Sequence, residues 1–155
     1  MKKIPKIYYI LASARIIKNR VVKNRPDFAS AIAEQGHTII IPKTIHKTLD
    51  ILSEPPTSNL EALLALEDIE KVKNDCPDSI RIITPNWELT NAVNGENLDP
   101  ENKKDELLAT IATFLFETNN KKDVVIILTE DDSIIKKIKE ITPKTTMMGA
   151  NSIFF

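Results

Sequence analysis

Four short apolar runs recur along the chain: KIYYILA near the start, then HTIIIP, SIRIIT and DVVIILT. Each gives way to a longer segment with helical spacing. No other feature narrows the fold as far. Short runs rich in isoleucine and valine suit strands buried on both faces, not strands with one wet side. Such strands alternating with helices predict an α/β fold of three layers, α/β/α. The central sheet would be mainly parallel, with four to five strands and helices on both faces. At 155 residues the chain is read as one domain, 1–155.

Between the strands the helical segments carry recognisable boundaries. SARIIKNRVVKN reads as a short basic helix ending near Arg25-Pro26. DFASAIAEQG has Asp27 as a cap and Gly36 as a stop. KTIHKTLDIL places Ile45, Leu49 and Leu52 at helical spacing, and Pro55-Pro56 ends it. SNLEALLALEDIEKVKNDC reads as a long helix capped by Ser58, with Leu60, Leu63, Leu64, Ile69 and Val72 on one face. NWELTNAV predicts a short helix and NGENLDPENK a polar loop. KDELLATIATFLFET, opened by Asp105 and Glu106, is apolar enough to be central to one layer. DDSIIKKIKEI is an amphipathic helix whose basic end suits the macrodipole, and TTMMGANSIFF supplies a last edge strand.

Composition removes several function classes. Three glycines, with no GxxxxGK[ST] or GxGxxG, argue against a glycine-rich phosphate loop. Cys76 is the one cysteine, so no intramolecular disulfide forms, and with two histidines no Cys/His zinc site can be built. A reducing, cytoplasmic compartment fits. The basic start MKKIPK and the triplet Ala12-Ser13-Ala14 invite a secretory reading, but only Ile7 to Leu11 are apolar before that triplet. A cleavable signal needs an apolar core of about 7–15 residues. No apolar run reaches the length that crosses a bilayer, and no membrane role is expected.

The net charge of −1 conceals an asymmetry. Residues 1–26 hold eight basic residues and no acid, whereas the remainder has a balance of −9. Such a segment is either a solvated basic face or a contact for nucleic acid, with Arg15, Lys18 and Arg20 the candidates nearest the first strand.

In a parallel sheet, sites form beyond the carboxyl ends of the strands. The residues there are Leu11-Ala12-Ser13-Ala14, then Pro42 and its helix to Leu49, and finally Thr129-Glu130-Asp131-Asp132. Three acids opening a helix can cap it or hold a divalent cation. Asp105 stands seven residues before Ala112 with leucines between. Taken in order, these pieces resemble the PIN domain family of metal-dependent nucleases. That family ends its first strand in an LDTN-like motif, follows its second with a P-x-x-V-L-x-E-L-like helix, opens a later helix on D-A-x-L-x-x-x-A and ends its fourth strand in T-N-D or S-x-D.

The resemblance implies four acids around Mg²⁺ or Mn²⁺. The first falls at Ala12, the accompanying asparagine at Ala14 and the second acid at Thr48. Asp105 and Asp131 stand at the last two positions as the implied catalytic and metal-holding pair, with Asp132 or Glu130 as a helper. Mg²⁺ prefers hard anionic oxygens, and hydrolysis of a phosphodiester by two metals needs carboxylates to hold and space them. Loss of two acids therefore implies weak metal binding at most. Asp50, two residues after Thr48, faces elsewhere on a helix.

Three readings of function follow. The first is a PIN-like protein of RNA metabolism or toxin-antitoxin type with a degenerate site, weak or inactive as a nuclease but binding RNA or a protein. The second is an active Mg²⁺- or Mn²⁺-dependent ribonuclease that recruits Asp50, Glu54, Glu130 or Asp132. The third is an oligomeric binding scaffold, such as a homodimer, with no nucleic-acid role. His46 is read as an exposed helical histidine, Trp87 as partly buried packing, Met147 and Met148 as core or a dimer surface, and Cys76 as incidental.

Overall fold

The computed structural model describes residues 6–12, 27–88, 98–118, 123–129, 133–134, 136–138 and 151–154. The strands are β1 (Ile7–Leu11), β2 (Thr38–Pro42), β3 (Ile80–Ile83), β4 (Val124–Leu128) and β5 (Asn151–Phe154). The helices are α1 (Phe28–Glu34), α2 (Lys43–Ser53), α3 (Leu60–Asp75) and α4 (Lys103–Glu117). All strand pairs are parallel, in the order β3-β2-β1-β4-β5. The architecture is the expected three-layer α/β/α fold. Ile39, Ile40 and Ile41 of β2 and Val125, Ile126, Ile127 and Leu128 of β4 are all buried, as strands covered on both faces require.

The helix α4 follows the sequence reading most closely. Leu107 through Leu115 are buried without interruption, and Phe114 meets Tyr8 of β1 edge to face at 5.3 Å. Two buried threonines interrupt its apolar surface without leaving an unpaired hydroxyl. Thr110 Oγ1 donates to Glu106 O (2.7 Å) and Thr113 Oγ1 to Ala109 O (2.7 Å). Thr113 Oγ1 also accepts the Asn86 amide (2.9 Å), which ties the chain leaving β3 to this helix.

Several boundaries differ from the sequence reading. The cap of α3 is Asn59, whose side chain accepts the Ala62 amide (3.0 Å), while Ser58 turns the chain with φ of 42°. α4 begins at Lys103, so Asp105 and Glu106 lie within its first turn and neither is its cap. Asn102 caps it by accepting the amides of Lys104 (3.0 Å) and Asp105 (3.1 Å). Asp27 precedes α1 but makes no side-chain cap bond there. Gly36 does end α1, at φ of 79°. Asn59→Ala should lower stability by about 1 kcal/mol, read as an earlier urea midpoint. Ser58→Gly should leave the midpoint unchanged or raise it, because glycine adopts a positive φ without strain.

The largest correction concerns the face of α3. Ala62, Ala65, Asp68, Ile69 and Val72 are its buried residues, while Leu60, Leu63 and Leu64 are exposed. Ile69 and Val72 follow Leu60 by nine and twelve residues. At about 3.6 residues per turn this puts them on the side away from the leucines, so the five residues expected on one face cannot share it. α3 packs against both α1 and α2, and a ridge of alanines lets two helices approach closely where leucines would hold them apart. Trp87 is half-buried, as expected, and Trp87 and Glu88 are helical. Residues 13–26, 89–97, 119–122 and 139–150 lie outside the described set, and with them the expected basic helix, most of NWELTNAV, and Met147 and Met148.

Candidate functional site at the carboxyl rim of the sheet

The order β3-β2-β1-β4-β5 reverses direction between β1 and β4, and open parallel sheets bind ligands beyond the carboxyl ends at such a reversal. The register fixes which residues meet there. Leu11 is level with Leu128, and the Ala12 amide extends the ladder to Leu128 O (2.9 Å), so Ala12 is level with Thr129. On the other side Ile10 is level with Ile40, which puts Ala12 beside Pro42, and Pro42 is level with Ile83. One row of the rim thus reads Ile83, Pro42, Ala12, Thr129, with no ionisable side chain in it. Ala12 is 3% exposed and Thr129 is buried.

The other described candidates are engaged locally. Thr48, on α2, donates its hydroxyl to Thr44 O (3.0 Å), within its own helix. Asp105 lies in the first turn of α4, half-buried, and its Oδ2 accepts the Asp99 amide (2.9 Å). Asp99 Oδ1 in turn accepts the Glu101 amide (2.9 Å). One oxygen of Asp105 therefore shapes the turn that leads into the helix, while Asn102 is its cap. Lys104 Nζ donates to Ser133 Oγ, which joins the start of α4 to the chain beyond β4. Asp50 pairs with His46 Nδ1 at 3.5 Å on an exposed side of α2, and Glu54 is exposed. Arg15, Lys18, Arg20, Glu130, Asp131 and Asp132 lie outside the described residues.

Among the described residues no three His, Cys, Asp or Glu side chains converge as a metal centre. The donor chemistry explains this: a methyl group at Ala12, a hydroxyl at Thr48 already donated within its helix, and a carboxylate at Asp105 partly spent on a backbone amide do not form an anionic cage for Mg²⁺.

Two carboxylates that sequence reasoning passed over hold the scaffold beneath this rim. Asp68, in α3, accepts the amides of Ala29 (2.8 Å) and Ser30 (3.2 Å) through Oδ2 and the Ser30 hydroxyl through Oδ1. It caps α1 from another helix. Its signal was present: with α3 phased on Ala62, Ala65, Ile69 and Val72, Asp68 falls on the buried face. Asp123, buried, accepts the Lys6 amide (3.0 Å), and Lys6 O accepts the Val124 amide (2.9 Å), which sets β1 against β4 at the opposite edge.

Away from the rim, an open concavity of about 150 Å³ lies between α1 and α3, and exposed Cys76 is among its lining residues with Glu34, Lys71 and Asp75. Among the described residues no helix is long and apolar enough to cross a membrane. No protein-family model matches the chain, and no curated protein matches it.

Proposed function

We propose that this chain is a PIN-like protein whose acidic cage has been dismantled, and that it binds RNA in the cytoplasm while cleaving it weakly or not at all. The observation that supports this reading is the row Ile83, Pro42, Ala12, Thr129 at the reversal point of the sheet. The position where the family resemblance puts its first acid is a buried methyl group, so a phosphate approaching there meets no fixed negative charge on that row. The basic residues Arg15, Lys18 and Arg20 follow Ala12 closely in the chain and supply the attraction. The role fits RNA metabolism or a toxin-antitoxin setting. An active ribonuclease drawing on Asp50 is less well supported, because that carboxylate pairs with His46.

Purified protein with single-stranded RNA tests the reading. Binding should weaken steeply with salt. Arg15→Ala with Lys18→Ala should reduce affinity roughly tenfold and flatten the salt dependence by about one to two counterions. RNA should remain intact with Mn²⁺ present. Robust Mn²⁺-dependent cleavage that disappears in Asp131→Asn would overturn the inactive assignment. Absence of RNA binding at low salt would leave the oligomeric scaffold as the better reading.

A further inference from the structure

We draw no further inference here: the strongest candidate, the amino end of α2 at the carboxyl rim of the sheet, where the Thr44 hydroxyl has no hydrogen-bond partner among the described residues, carries nothing because it is a helix N-terminus with a half-buried threonine and no second observation that points to a ligand.

Discussion

Asp68→Ala should lower the stability of the protein by about 3–4 kcal/mol at neutral pH, read by urea unfolding. The side chain is 8% exposed and takes three hydrogen bonds from the start of α1: two amides and the Ser30 hydroxyl. Alanine leaves those donors unpaired in a space too buried for water to serve them well, and an unpaired buried donor costs about 1–3 kcal/mol. It also removes a negative charge from the positive end of a helix, a smaller effect. For a chain of this size the loss corresponds to a thermal midpoint lower by roughly 10 °C. Asp68→Asn keeps one acceptor oxygen and should lose about half as much. Asp75→Ala, exposed at the far end of the same helix, should change little. A loss under about 1 kcal/mol for Asp68→Ala would show that α1 is held by its apolar residues and not by this carboxylate.

Ala12→Asp should be comparably damaging without metal, and its damage should depend on pH. The site is 3% exposed, and no cationic side chain stands on its row of the rim. Burial without a cation on that row pushes the carboxyl well above the usual carboxylate range, at a cost of about 4 kcal/mol. The sign follows from linkage. Below the unfolded-state pKa near 4 the group is protonated in both states, and the variant loses little. As pH rises above that value the unfolded chain ionises first and is favoured, so the deficit grows until the raised folded-state pKa is passed and is then constant. Chemical denaturation of variant and wild type at several pH values reads this directly.

Metal adds the functional half of the test. On the PIN-like reading the new carboxylate stands where the family keeps its first acid, near Asp105 and Asp131. Mn²⁺ at about 100 times its Kd should then return about 2.7 kcal/mol to the variant and do little for wild type. Failure of Mn²⁺ to stabilise Ala12→Asp would sink the family assignment, because the remaining acids would not gather around that position.

The four apolar runs, the central helix and the parallel architecture were readable in advance because each rests on local information. A strand buried on both faces has to be apolar throughout, and a helix buried along most of its surface has to be as well. β2, β4 and α4 satisfy those conditions without competing signals. Helix caps were less legible. Ser58 and Asn59 are equally good in isolation, and which one accepts an amide depends on how the hairpin closes. The phase of α3 was illegible for a stronger reason: the leucine stripe is the more hydrophobic, yet the alanine stripe is buried, since α1 and α2 approach from that side.

At the candidate site the division is similar. The chain alone established that Ala12 and Thr48 carry no carboxylate, for residue identity is independent of folding. It did not establish that Asp105 bends back to the Asp99 amide, or that Asp68 reaches across to α1.

What the amino-acid order determined by itself was the alternation of strands and helices and the absence of a carboxylate at Ala12 and at Thr48, because periodicity and side-chain chemistry are local properties. What only the tertiary structure decided was which strands are neighbours, and hence that Ala12 lies between Pro42 and Thr129. The side of α3 that faces solvent was decided there too. Neighbourhood in a parallel sheet and the choice between two helix faces are set by segments distant in the chain, and their packing energy is shared among partners that no local window contains.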